Sequence, residues 1–202
     1  MIRPFAGNLN FVKHFYSFKF IPMRILHDNV IGLVIDFQER LYPLIWEHEK
    51  LTRNVPVLLE GLKAMEIPLM VTEQYVKGLG PTVQPIAASI QGIERIEKAS
   101  FSCCDEPSFM MALASSGRDY VVIAGIESHV CVLQTVIDLQ HNGYHPVVVE
   151  DCISSRKEND KKIAIERMRH EGVIITTYEA ILFELLRYSG GEKFKAISRL
   201  VK

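Results

Sequence analysis

Cys131 lies just after the apolar run Val121-Val122-Ile123-Ala124, at or just before the start of a helix. A helix N-terminus stabilises negative charge, so a thiol there ionises more easily, and the thiolate is the nucleophilic form. Two other charged residues also stand at the ends of apolar runs: Asp36 after Val30–Ile35 and Lys98 after 93–96. Each has an ordinary alternative. Most free cysteines are small core residues, an aspartate at a strand end is often a cap or turn former, and a lone lysine is usually solvated. The choice depends on whether the fold brings the three together.

The elements between them predict that it does. Buried strands are expected at 30–35, 67–71, 93–96, 121–124, 147–149 and 173–176, each a short apolar run. Gly125 is read as the end of the fourth. Leu51, Val55, Leu58, Leu62 and Met65 recur at helical spacing, with Pro56 inside the pattern as a kink or the true start. Asp105-Glu106-Pro107 opens a helix to about Ser115, and another runs from near Cys131 to Asn142-Gly143. Capping boxes at Ser155/Glu158 and Thr176/Glu179 introduce helices to His170 and over 180–187. Six strands alternating with helices imply an α/β fold: a three-layer α-β-α, Rossmann-like, doubly wound parallel sheet. Strands one and four then flank the topological switch point, where such sheets bind ligands, so Asp36 and Cys131 share one crevice.

Bulk properties narrow the partners. The 202 residues suffice for one domain with a sizeable core, and 48% hydrophobic with 23% charged is an ordinary globular composition. A net charge of −1 offers no attraction to nucleic acid or an anionic membrane, and no apolar run is long enough to span a bilayer. The cysteines Cys103, Cys104, Cys131 and Cys152 show neither CxxC spacing nor a disulfide framework, which fits a reducing compartment. Cys103 and Cys104 read as helix-entry packing and Cys152 as core. Residues 1–28 read as an aromatic, basic extension (Arg3, Lys13, Lys19, Arg24) before a domain over 29–202, with Met23 as an alternative start. The expected location is cytoplasmic, with a mitochondrial one as the alternative if that extension is a transit peptide.

Three segments carry a resemblance. Val34-Ile35-Asp36-Phe37-Gln38, Lys98-Ala99-Ser100-Phe101-Ser102 and Gly125-Ile126-Glu127-Ser128-His129-Val130-Cys131 resemble the signature segments of the isochorismatase-like cysteine hydrolases, in the right order on the right elements. Thr72-Glu73-Gln74-Tyr75 with Gly78-Leu79-Gly80-Pro81 is most similar to the branch that includes YcaC-like proteins. The resemblance implies that Asp36 takes the Cys131 proton and returns it to the leaving group, while Lys98 stabilises the thiolate and holds Asp36. It implies a cis peptide before Glu127, and an oxyanion hole from the backbone N–H groups of Glu127 and Cys131. It also implies a homo-oligomer, with His129 and Tyr188 as candidate interface residues. Phe37, Gln74 and Tyr75 are positional candidates for substrate contact.

Two departures refine this. Nicotinamidases of the family bind metal through Asp-x-His after the second strand, whereas Glu73-Gln74-Tyr75 here lacks those ligands. Neither a metal nor another cofactor is therefore expected. True isochorismatases often lack the cysteine, so its presence favours acyl chemistry on a small amide, carbamoyl or related carbonyl compound, through a thioester-type intermediate. The alternatives are a non-catalytic scaffold that keeps the fold, an isochorismatase-type hydrolase, or a redox protein in which Cys152 approaches Cys131.

Overall fold

A computed structural model describes residues 24–202. Residues 1–23 of the expected extension, including Met23, lie outside the described residues. Ile25 is already in the core and its N–H donates to Glu184 Oε1 at 3.1 Å, so the packed body reaches upstream of Asn29.

Six parallel strands form one sheet: β1 Val30–Ile35, β2 Leu69–Gln74, β3 Arg95–Lys98, β4 Tyr120–Ile126, β5 His145–Ser154 and β6 Ile174–Thr176. Their order is β3-β2-β1-β4-β5-β6, so the winding reverses between β1 and β4, as expected. Helices α1 His48–Ala64, α2 Val76–Leu79, α3 Gln84–Ser89, α4 Pro107–Ser116, α5 Leu133–His141, α6 Glu158–His170, α7 Tyr178–Leu186 and α8 Gly191–Leu200 connect and cover it.

The two-residue period of the strands sorts their side chains into two cores. Val30 and Val34 of β1 join Tyr120, Val122, Ala124 and Ile126 of β4 on one face, under α1, α3, α7 and α8. Ile31, Leu33 and Ile35 join Val121 and Ile123 on the other, under α4, α5 and α6. A sheet covered on both faces needs near-continuous apolar strands, and every residue of β1 and β4 is buried. Pro56 lies inside α1 rather than starting it.

Several boundaries differ from expectation, each for a local reason. β2 and β3 run further toward their carboxyl ends, through the polar residues Thr72-Glu73-Gln74 and Glu97-Lys98, because those backbones pair with each other. β4 continues through Gly125 to Ile126. β5 runs past Glu150-Asp151 to Ser154: Ile123 pairs with Val148 but Gly125 with Ile153, so the polar pair occupies an irregularity in the ladder. The glycine-rich turn contains the short α2, ending at Gly80 with φ +78°. Neither capping box forms. Lys157 precedes α6 without a side-chain cap, and Thr177 caps α7 through Ala180 N–H. Helix α8, not foreseen, follows the Gly190-Gly191 break and packs Ile197 into the core.

Gly125 sets how closely β1, β4 and the following turn approach. A Cβ there would meet Ile35 Cβ at 2.6 Å, the Ile35 carbonyl oxygen at 3.1 Å and Val132 Cγ2 at 3.1 Å. Gly125→Ala is predicted to cost roughly 1–3 kcal/mol through overpacking. For a domain of this size that lowers Tm by ~2–4 °C per kcal/mol, readable by thermal denaturation.

Candidate active site

The carboxyl ends of β1, β2, β3 and β4 converge at the switch point. Asp36 follows β1 directly and adopts a left-handed φ of 55°, a region that aspartate tolerates better than most residues. Its N–H still donates to Thr72 O at 3.2 Å, so the residue is tied to β2 as the chain turns. Its carboxylate accepts twice: Oδ2 from Lys98 Nζ at 2.6 Å and Oδ1 from Thr72 Oγ1 at 2.9 Å. The Asp36 and Lys98 side chains are 1% and 0% exposed.

Lys98 ends β3 and spends its remaining donors on the carbonyls of Ser100 and Phe101, both at 3.1 Å. Burial alone disfavours the ammonium, but the adjacent Asp36 carboxylate holds its pKa above the ordinary value. Burial likewise raises the Asp36 carboxyl, opposed by Lys98, by the Thr72 hydrogen bond and by the Cys131 thiol.

Cys131 sits in a π-helical turn, Ser128–Val132, between β4 and α5. The turn enters across a cis peptide bond between Ile126 and Glu127. Cys131 Sγ donates to Gln74 Oε1 at 3.4 Å and also acts on the Asp36 carboxyl. The structure thus brings Asp36, Lys98 and Cys131 together. It corrects one expectation: the thiol is not readily ionised at rest. Burial raises its pKa first and the Asp36 charge raises it further, outweighing Lys98. Lys98 acts chiefly on Asp36, with all its hydrogen bonds directed there and to carbonyls.

The other candidates separate. Gln74 contacts the thiol. Its backbone is gripped by Gln38, which accepts from Gln74 N–H at 2.7 Å and donates to Gln74 O at 2.9 Å and Gly80 O at 2.7 Å. Tyr75 follows with an exposed side chain, its N–H donating to Lys98 O at 2.9 Å. Phe37 is corrected: it is fully buried and packs edge-on against Tyr42, so it presents no surface to a substrate. Beyond the left-handed Asp36, the chain directs it into the core. Glu127 is buried, and its Oε2 accepts from Arg156 N at 3.1 Å and Nε at 2.9 Å. His129 Nδ1 pairs with Ser155 Oγ at 2.9 Å, which places it partly inside the protein. Cys152 lies in the core of the opposite sheet face from Cys131, which removes it as a redox partner. Glu73 is held by Thr82 N–H at 2.8 Å and Oγ1 at 2.6 Å. Among the described residues, no group of three or more His, Cys, Asp or Glu side chains is arranged to hold a metal ion. Nor is any helix of the described residues long and apolar enough to cross a membrane.

Sequence reasoning missed Gln38, Thr72 and Cys103 as parts of this cluster. Gln38 and Thr72 stood inside the quoted segments. The available signal was a polar residue directly after an apolar run, at the same end of the sheet as Asp36.

A doubly wound parallel sheet carrying a buried Asp–Lys pair beside a thiol at its switch point defines a narrow class of α/β protein. The Isochorismatase domain family model matches residues 31–180, so the chain belongs to the isochorismatase-like hydrolase family. It is 34% identical over 180 residues to isochorismatase domain-containing protein 2A of Mus musculus, covering 89% of this chain and 85% of that protein. It is also similar to the Caenorhabditis elegans MAR1 ribonuclease structure, with TM-score 0.83 and 35% identity over 88% of this chain and 92% of that one. The YcaC structure of Escherichia coli, described as an octameric hydrolase of unknown specificity, matches in fold. Its TM-score is 0.83 at 24% identity, over 88% of this chain and 89% of that one.

Because Asp36 raises the Cys131 pKa, Asp36→Asn is predicted to keep or increase alkylation of Cys131 by iodoacetamide at pH 7. The increase is on the order of tenfold per unit of pKa lost. Peptide mass mapping reads it, and slower labelling than in the parent would count against the placement of that charge.

Proposed function

We propose that the protein is a cysteine hydrolase of small amide, carbamoyl or related carbonyl compounds, working without a metal through a thioester-type intermediate. The observation that carries this reading is a buried carboxylate, held by Lys98 at 2.6 Å, against the Cys131 thiol. A protonated thiol beside a carboxylate can pass its proton as it attacks, so the thiolate need form only when a carbonyl is in place. Asp36 then carries the proton to the leaving nitrogen or oxygen. Water attacks the thioester, Asp36 removes a proton from that water, and the thiol is regenerated.

In this reading the backbone N–H groups of Glu127 and Cys131 receive the developing oxyanion, and Gln74 and Tyr75 contact substrate. Losing one such oxyanion donor costs about 3 kcal/mol in comparable sites. Anchoring of Glu127 by Arg156 supports a fixed donor at that position. The donor set supports metal independence, because Glu73-Gln74-Tyr75 stands where the family's nicotinamidases carry their metal-binding Asp-x-His, and Glu73 is engaged by Thr82. A scaffold reading leaves unexplained why a charged pair is buried at a cost. The ribonuclease name belongs to the nematode neighbour, and a net charge of −1 gives no general attraction for a polyanion. We also propose a homo-oligomer, since the YcaC neighbour is an octamer.

A panel of small amides, carbamoyl compounds and esters, assayed with the parent and Cys131→Ala, tests the reading. Turnover of at least one class by the parent and its loss in the variant is expected; equal rates in both would sink it. On any substrate found, Asp36→Asn should lose about 10²–10⁴-fold in kcat per folded molecule, assayed below the lowered Tm that an unpaired, buried Lys98 imposes. Activity needs the carboxylate, so it should fall as pH drops through an Asp36 pKa raised above 3.8, at higher pH than for an ordinary aspartate. Light scattering at micromolar concentration should show an oligomer; a monomer would remove that part of the proposal.

A further inference from the structure

Asp36 has a second partner besides Lys98. Thr72, fully buried on β2, donates its hydroxyl to Asp36 Oδ1 at 2.9 Å. The same hydroxyl oxygen accepts from Cys103 Sγ at 3.7 Å. Cys103 is itself fixed, because its N–H donates to Thr135 Oγ1 at 2.9 Å and its side chain is fully buried. Burial and the nearby Asp36 charge push the Cys103 thiol up to about 11, so it remains a donor at ordinary pH.

A count of hydrogens follows. An ionised carboxylate can only accept, and a thiol has one hydrogen to give. Cys103 gives its hydrogen to Thr72. The single hydroxyl hydrogen of Thr72 therefore points to Asp36. Lys98 fills one side of the carboxylate and Thr72 the other.

We propose that Thr72 is a positioning residue: its hydroxyl, locked into the donor role by Cys103, orients the Asp36 carboxylate and sets how readily it takes the Cys131 proton. This deepens the hydrolase reading and rests on it. A donor to a carboxylate stabilises its charged form and weakens it as a base. Thr72 thus keeps the resting site as carboxylate plus thiol, and limits the tautomer in which Asp36 is protonated and Cys131 is a thiolate. The titratable groups facing Asp36 are Lys98 from β3, Cys131 from the π-helical turn and Cys103 from the turn before α4. Thr72 is the neutral member of that shell.

The test is the pH dependence of Cys131 alkylation by iodoacetamide in the full chain, read by peptide mass mapping. Thr72→Val is nearly isosteric and removes the donor, while Thr72→Ser restores it. In Thr72→Val the acid limb should move up by about one pH unit, because the undonated carboxylate binds its proton more tightly. The rate above that limb should rise, and Thr72→Ser should return both toward the parent. A residue that served packing alone would lower Tm in Thr72→Val and leave the limb in place. Asp36→Asn separates the two levels of failure. If its profile differs from the parent's while Thr72→Val matches the parent, the positioning role is wrong and the Asp36–Cys131 coupling stands. If the Asp36→Asn profile superimposes on the parent's, the coupling itself is wrong and the positioning role falls with it.

Discussion

The buried ion pair between Lys98 Nζ and Asp36 Oδ2 is the contact that the site cannot lose. Burying two charges carries a desolvation penalty of several kcal/mol per ion, recovered only with good geometry and further hydrogen bonds. Both conditions hold. Lys98 has two carbonyl acceptors besides Asp36, and Asp36 has the Thr72 hydroxyl and a thiol neighbour. Removing one partner leaves an uncompensated buried charge, typically a 3–5 kcal/mol loss. A hydrophobic pair of similar size would serve stability as well, so stability alone does not account for the ion pair, whereas the proposed chemistry at Cys131 does.

Its effect on Cys131 reverses the first intuition about helix N-termini. The start of a helix lowers a thiol pKa when the thiol is otherwise unencumbered. Here Cys131 is buried, and the negative partner of the ion pair opposes its ionisation. In the proposed reaction the nucleophile is stored as a thiol beside the carboxylate that takes its proton. Neutral storage suits a buried cysteine, since a thiolate is the form most open to oxidation. On that proposal, proton transfer is deferred until a carbonyl arrives to accept the electron pair.

Much of the fold was legible because its signals are local. Val30–Ile35 and the run at 121–124 are apolar throughout, which only a sheet covered on both faces requires. The winding rule then placed Asp36 beside Cys131 with no contact known in advance. Features set by tertiary pairing were less visible. Strand β5 passes through Glu150-Asp151 because an irregular ladder holds polar residues there, which no periodicity announces. Phe37 was misread because the left-handed turn at Asp36 is a backbone event. Thr72, Gln38 and Cys103 are ordinary residues by type. Only the packing of β1 against β2, and of the turn at Cys103 against Thr135, shows where their hydrogen bonds go.

The central claim is that Cys131 attacks a carbonyl and carries the acyl group. An activated ester tests it without knowledge of the natural substrate. p-Nitrophenyl acetate, mixed rapidly with the protein, should release a burst of p-nitrophenolate approaching one equivalent per chain. Acid quench and peptide mapping should then place the acetyl group on Cys131, and Lys98→Met should lose the burst. Acetylation confined to surface lysines, or release with no burst and no Cys131 adduct, would contradict the account.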